Sequence, residues 1–185
     1  GLRGGTFGMV RCQNTKKHSG IDLYAEEGTE VYAMFDGVID KSKYVIEQPN
    51  KEKKEYPDVY NGDTNDAGNR IYIKSKYKGD NIRLGYCHLQ AGTPVAINPR
   101  TGKPFAPGDV VYAGELVAYT GRTGNAYNVE NKHLHLTYYK NWVLTNPEEI
   151  LNGKVDWNET MTKVLTEGLK GIKCDSERLI LGLID

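Results

Sequence analysis

The four histidines of this 185-residue chain all lie in short motifs whose other residues suit a metal site. His18 begins HSGID at 18–22, His88 lies in YCHL at 86–89, and the last two occur in HLHL at 133–136. Imidazole is the commonest protein ligand for zinc and the usual proton carrier near neutral pH. Because no histidine lies elsewhere, the sequence indicates a zinc hydrolase.

The spacing in HSGID predicts that His18 and Asp22 share one side of an extended chain. Gly20 and the β-like flanking residues argue against a helix, and alternate residues of a strand point to the same face. Ile21 and Leu23 would then face the core. Gly20 lies between the two polar residues and leaves the space beside them unfilled.

The HLHL motif follows the same rule. His133 and His135 would share a face, about 6.6 Å apart along a strand, while Leu134 and Leu136 face the core. This spacing allows two ligands on one metal ion. It equally allows one ligand with a catalytic histidine beside it.

A catalytic zinc ion takes three protein ligands and leaves one position open for water. Four histidines and Asp22 exceed that number by two. The chain has no HExxH motif, so the glutamate base of helix-based zinc proteases is missing. We therefore expect two of the histidines to transfer protons.

The elements that must position these residues read mainly as strands. The 21 glycines, together with many Val, Ile, Thr and Tyr residues, favour a turn-rich β protein. Strands are predicted at 31–33, 38–39, 70–74, 81–89, 110–112, 116–119 and 133–139. A short hairpin is predicted to join 110–112 to 116–119 through residues 113–115.

The organisation along the chain predicts a domain over 1–150 and a helical C-terminal extension over 151–185. Residues 1–17 read as an extended lead-in. Residues 47–69 read as a polar loop insertion, either a solvated loop or one wall of a substrate groove. In the extension, apolar residues at 161, 164, 165 and 169 have helical spacing.

The composition narrows the range of partners. With 24 basic and 24 acidic residues the chain lacks the positive charge of a typical nucleic-acid-binding protein. No apolar run approaches the length of about 20 residues that a membrane-spanning helix needs. Cys12, Cys87 and Cys174 form no CxxC pair, and we expect ordinary reduced thiols.

Taken in order, the motifs resemble those of the lysostaphin-like, LytM-type peptidoglycan zinc metalloendopeptidases. These are HxGxD at 18–22, YxHL at 86–89, a GxTG loop at 121–124 and HLH at 133–135. The resemblance covers about residues 7–150. It implies a mainly β fold with an antiparallel, barrel-like hydrolase core built as a duplicated hybrid motif, followed here by a short helical tail.

The resemblance also implies the roles of the site residues. His18, Asp22 and His135 would hold one Zn²⁺ ion per chain, and His88 and His133 would be the catalytic pair. The family usually has HLHFE, whereas this chain has HLHLT at 133–137. Neither replaced residue is a ligand, so the departure affects the packing and the second layer around the site.

The implied function is hydrolysis of peptide bonds in peptidoglycan cross-links or bridges, during cell-wall remodelling or lysis. The implied location is the cell envelope, periplasmic or extracellular, and the implied partner is a peptidoglycan peptide. The alternative is a catalytically silent module of the same fold that binds cell wall or regulates a partner hydrolase. All five site residues are present, which argues against that alternative.

Two other classes share part of the pattern. A cupin-like metal oxygenase also uses HxH on a strand, but it would need a glutamate shortly after His135, where this chain has TYYK at 137–140. A lipoyl- or biotinyl-carrier domain shares the hairpin texture of 108–121. The chain lacks the Met-Lys-Met-type tip of such a domain.

Overall fold

A computed structural model of the protein describes residues 5–11, 15–42, 44, 46, 67–126 and 132–151. Within these ranges the strands are β1 (Gly8–Arg11), β2 (Lys16–His18), β3 (Ile21–Tyr24), β4 (Glu30–Tyr32), β5 (Gly37–Ile39), β6 (Asn69–Tyr77), β7 (Asp80–Leu89), β8 (Ile97–Asn98), β9 (Lys103–Pro104), β10 (Val110–Val111), β11 (Leu116–Tyr119), β12 (His133–Lys140) and β13 (Val143–Thr145). Helix α1 (Glu148–Leu151) and a 3₁₀ turn at Gly124–Ala126 complete the described elements.

A seven-stranded antiparallel sheet forms the centre of the fold. Its order is β10-β5-β6-β7-β12-β13, and β3 pairs with the first half of β12. Separate two-stranded sheets are formed by β1 with β2, β4 with β11, and β8 with β9. The predicted mainly β, antiparallel fold is therefore confirmed.

The two faces of the central sheet have different chemistry because alternate side chains of a strand point in opposite directions. On β7 and β12 one face contributes to the hydrophobic core Ile82, Leu84, Tyr86, Leu136 and Tyr138. The other face of these strands carries buried Cys87, His133, His135 and Thr137. The motif HLHL thus places its two histidines on the side away from the core, as predicted.

The predicted hairpin between 110–112 and 116–119 is wrong. Strand β10 pairs with β5 and β11 pairs with β4, so the two strands belong to different sheets. The reason lies at Ala33, whose N–H donates to the carbonyl of Glu115 and whose carbonyl accepts from the N–H of Gly114. Both chain segments cross from one sheet to the other at this point.

The lead-in is more structured than predicted, because β1 and β2 form an antiparallel hairpin with a shift of register between Met9 and Arg11. The polar loop ends before Asn69, which already belongs to β6. Its residues 47–66 lie outside the described residues, as does the extension from 152 onward, so the helical tail and the domain boundary remain predictions. None of the described helices is long and apolar enough to cross a membrane.

We expect Leu136→Ala to lower the free energy of unfolding by about 2–5 kcal/mol, because it removes a core side chain that is only 1% exposed. The matched control is Val143→Ala, since Val143 is 64% exposed and should change stability by less than about 0.5 kcal/mol. Urea denaturation of both variants measures the difference. Equal stability of the two would contradict this description of the sheet faces.

Candidate metal centre

The pairing of β3 with β12 and the position of β2 beside it bring three of the predicted site residues together. Asp22 lies directly opposite His135 in the ladder, and directly opposed side chains on one face of a sheet are in contact distance. His18, at the end of β2, approaches the same point from the hairpin. All three side chains are buried.

The facing atoms of these residues form a nearly equilateral triangle. His18 Nε2 lies 3.0 Å from His135 Nδ1, His135 Nδ1 lies 3.1 Å from Asp22 Oδ1, and His18 Nε2 lies 3.2 Å from Asp22 Oδ1. Nitrogen and oxygen ligands of a tetrahedral zinc ion, at about 2.0–2.1 Å from it, are about 3.3 Å apart. The triangle therefore has the size of a zinc ligand set.

Hydrogen bonds on the outer side of each imidazole direct lone pairs into the triangle. His18 donates its Nδ1–H to the carbonyl of Thr6 at 2.8 Å, and a carbonyl can only accept, so Nε2 carries the lone pair. His135 Nε2 lies 3.0 Å from Thr137 Oγ1, and donation of its proton there leaves the lone pair on Nδ1. Two nitrogen lone pairs and a carboxylate oxygen then face one another, an arrangement that a cation stabilises. This donor set suits zinc.

The second oxygen of the carboxylate is held separately. Arg11 of β1 donates to Asp22 Oδ2 at 2.9 Å, which leaves Oδ1 for the triangle. Complete burial opposes ionisation of Asp22, but while no metal is bound and the histidines are protonated, the charges of His133 and His18 and hydrogen bonds from His135 and His18 outweigh it. They hold the pKa of the carboxyl well below its ordinary value, so the group is a carboxylate.

Gly20 is required by close packing against β12. A Cβ atom at this position would lie 2.2 Å from the carbonyl oxygen of Leu136 and 2.8 Å from Nε2 of His135. Any side chain here would push the metal-facing imidazole out of place. The space that the sequence predicted beside His18 and Asp22 is therefore used by the ring of His135.

His88 lies at the end of β7 with its ring directed by a loop. Its Nδ1–H donates to the carbonyl of Thr123 at 2.8 Å, which leaves the lone pair on Nε2. Its φ of 57° lies in the left-handed region, an uncommon conformation that residues at functional sites adopt more often. Burial, followed by the positive charges of His133 and His135, lowers the pKa of His88 well below its ordinary value.

His133 completes the group but lies outside the triangle. Its Nε2 is 3.5 Å from Asp22 Oδ1, and its ring centre is 5.5 Å from that of His88. The ring centre of His88 is also 5.8 Å from that of His135. All five residues singled out in the sequence thus converge, and the group whose ligand atoms lie within 4.8 Å of one another contains His18, Asp22 and His135.

Four residues that hold the site residues in place by hydrogen bonds were not identified from the sequence. They are Thr6, Arg11, Thr123 and Thr137. Thr123 illustrates what was missed, because its hydroxyl donates to the carbonyl of Leu89 at 2.5 Å and accepts from the N–H of Asn69 at 3.0 Å. These bonds fix the GxTG loop against the end of β7. The GxTG motif is visible in the sequence, but its role in orienting His88 is seen only from these contacts.

The chain matches one family of known proteins over most of its length. The model of "Peptidase family M23" matches residues 16–147. Comparison with curated protein sequences gives no match.

Solved structures show the same fold. The catalytic domain of the antimicrobial peptidase lysostaphin from Staphylococcus simulans is 21% identical with a TM-score of 0.51, over 80% of this chain and 89% of that chain. A variant catalytic domain of the prophage-encoded M23 protein EnpA from Enterococcus faecalis is 23% identical with a TM-score of 0.51, over 80% and 88%. Against another structure of lysostaphin, this chain matches at 21% identity and a TM-score of 0.51, with coverage of 94% and 58%.

We expect Gly20→Ala to destabilise the fold by about 1–3 kcal/mol, the usual cost of overpacking, and to weaken metal binding as His135 is displaced. The control is Ser19→Ala at the exposed neighbouring position, which should alter neither property. Urea denaturation and a zinc titration measure the two effects. Tight metal binding by a stable Gly20→Ala protein would contradict the packing argument.

The metal-free protein should lose stability in mild acid. Burial is the largest cause that lowers the pKa of His88 and of His135, so the unfolded chain takes up protons at a higher pH than the folded chain. The free energy of unfolding should therefore fall as pH drops below about 6.5, by at most about 1.4 kcal/mol per pH unit for each such histidine.

Urea denaturation of metal-free protein between about pH 5 and pH 8, the range in which an ordinary histidine titrates, checks this. The His88→Gln variant is the control and should have a shallower dependence on pH. A stability that rises toward acid pH would be inconsistent with buried, neutral imidazoles.

Proposed function

The chain belongs to peptidase family M23, and on that premise we propose that it is a zinc-dependent endopeptidase that cleaves peptide bonds in peptidoglycan cross-links or bridges. The observation that carries the proposal is the buried triangle of His18 Nε2, Asp22 Oδ1 and His135 Nδ1, with two more histidines beside it. A triangle of acceptors alone would suit a structural metal site. The neighbouring His88 and His133 supply the proton-transfer groups that hydrolysis needs.

In this proposal His18, Asp22 and His135 hold one zinc ion. When bound, zinc supplies a Lewis acid that polarises the scissile carbonyl and lowers the pKa of water toward about 7. Arg11 keeps the remaining carboxylate oxygen occupied, so Asp22 offers a single oxygen to the ion.

His88 is the proposed acceptor of the water proton. Its bond to the carbonyl of Thr123 fixes the tautomer in which Nε2 is free to accept. The proton taken at Nε2 then passes to the leaving amine, while the water oxygen ends in the new carboxyl group. The Thr123 carbonyl continues to accept from Nδ1–H in both protonation states, so the ring keeps its orientation through the cycle.

His133 is the proposed partner of His88. Its ring lies across from that of His88 and its Nε2 lies near the Asp22 carboxylate. From this position it can donate a hydrogen bond to the developing oxyanion or to the leaving group. A structural metal site would need no such group, so the presence of His133 supports an enzyme rather than a silent module.

The substrate proposal depends on the family and on the fold shared with lysostaphin, described as an antimicrobial peptidase. Peptidoglycan lies in the cell envelope, so a periplasmic or extracellular location is part of the same proposal. Glycine bridges and cross-links with D-amino acids are the two candidate substrates. Mass analysis of fragments released from peptidoglycans of each type distinguishes them.

We expect His135→Ala and Asp22→Ala to lose zinc, because each removes one of three converging ligand atoms. Zinc content after equilibration with one molar equivalent and gel filtration, by elemental analysis at neutral pH, is the measurement. Lys103→Ala, at an exposed position on β9, is the control. Wild-type protein that holds no zinc under these conditions would refute the proposed site.

We expect His88→Ala to retain zinc but to lose about 10²- to 10⁴-fold in the rate of peptidoglycan hydrolysis, the range for removal of a general acid–base group. Release of new amino groups from both peptidoglycan types gives the rate. Normal hydrolysis by His88→Ala would show that the catalytic assignment is wrong. Absence of turnover by zinc-loaded wild type on both types would favour the silent module.

A further inference from the structure

A buried cluster of hydroxyl and thiol groups lies beside the metal-facing His135 on the polar face of the central sheet. His135 Nε2 lies 3.0 Å from the Thr137 hydroxyl. The Tyr72 hydroxyl and the Cys87 thiol lie close to that hydroxyl and to each other, near enough for each to affect the ionisation of the others. Tyr72, Cys87 and Thr137 are all buried.

The strand register explains how Tyr72 reaches Thr137 from two strands away. Gly85 of β7 lies opposite Tyr72 of β6 on one side and opposite Thr137 of β12 on the other. A Cβ atom at Gly85 would lie 2.4 Å from Cε1 of the Tyr72 ring. The ring therefore lies over the glycine and brings its hydroxyl to the neighbouring strand, where any other residue at position 85 would obstruct it.

The contact between His135 and Thr137 holds the imidazole from its outer side. With the His135 lone pair on Nδ1, its Nε2–H donates to Thr137 Oγ1. The Thr137 oxygen is then the acceptor that keeps the ring turned with Nδ1 toward the metal site.

The groups around Thr137 are electrically neutral. Burial raises the pKa of the Cys87 thiol to about 11 and also raises the pKa of Tyr72, so both keep their protons near neutral pH. His135 thus has a neutral outer partner, in contrast to Asp22, whose outer oxygen is paired with the charged Arg11.

We propose that Thr137, supported by Tyr72 lying across Gly85, is the positioning residue that fixes the ring orientation and tautomer of His135 for metal binding. This inference rests on the proposed zinc site. Outer partners of metal-binding histidines hold the ring in place and keep the proton on the far nitrogen, so their loss weakens metal affinity. Without the Thr137 acceptor, His135 could turn or carry its proton on Nδ1, the atom that faces the ion.

The test compares the zinc affinity of Thr137→Val with that of Thr137→Ser in competition with a chromophoric chelator. Valine keeps the shape and removes the acceptor, so we expect affinity about tenfold weaker, whereas serine keeps the hydroxyl and should stay near wild type. Tyr72→Phe keeps the ring and removes only the hydroxyl beside Thr137, so we expect a smaller loss of about threefold.

Two further measurements separate positioning from general stability. Urea denaturation of the metal-free variants reports damage to the fold, and the visible spectrum of the cobalt-loaded proteins reports the ligand geometry. We expect Thr137→Val to alter the cobalt spectrum and Thr137→Ser to restore it. A merely structural role would lower stability while leaving the spectrum and the zinc affinity of the folded protein unchanged.

Zinc binding as tight as wild type in both Thr137→Val and Tyr72→Phe would overturn the proposal. If Thr137→Val does not fold, Tyr72→Phe decides the question. Wild-type zinc affinity in that variant would show that Tyr72 does not support Thr137 across Gly85, which contradicts the proposal. A wild-type protein that binds no zinc is a different outcome, since it refutes the proposed function and this inference with it. Tight zinc binding by the wild-type protein and equally tight binding by the variants would refute this inference and leave the proposed function standing.

Discussion

Three lone pairs that converge within a buried space are the constraint on which the rest of the structure depends. With neither a cation nor a proton between them, His18 Nε2, His135 Nδ1 and Asp22 Oδ1 would repel one another at distances of 3.0–3.2 Å. Each is held by a bond on its far side, so none can turn away without breaking that bond. The site is therefore arranged for a metal ion before one binds, at the cost of some stability in the metal-free chain.

Much of this arrangement could be predicted because strands have a period of two. HLHL and HSGID place polar and apolar residues alternately, so each motif defines a core face and a site face without knowledge of its neighbours. The antiparallel pairing of β3 with β12 then sets Ile21 against Leu136 and Asp22 against His135 in one register. A shift of one residue would bury the polar residues in the core, so the hydrophobic pattern fixes the site as well.

What the sequence did not reveal are interactions between distant segments. Thr6 contributes a backbone carbonyl, which any residue type could supply, and its partner His18 is twelve positions away. Thr137 reads as a routine strand residue until Tyr72 is seen to lie over Gly85. The wrong hairpin at 110–119 has the same origin, because a turn between two strands does not specify whether they pair with each other.

The five central residues differ in what holds them, and the difference follows from their proposed roles. Metal ligands need fixed separations, and Asp22 and His135 lie opposite each other within a continuous ladder. His88 instead sits in a left-handed conformation at the end of β7, where the carbonyl of Ala67 accepts from its backbone N–H and the carbonyl of Thr123 accepts from its ring. A proton-transfer group must meet a substrate as well as the metal, so a strand end bordered by loops is a suitable place for it. Loops can change without disturbing the ladder, which allows the substrate to vary while the ligand geometry is kept.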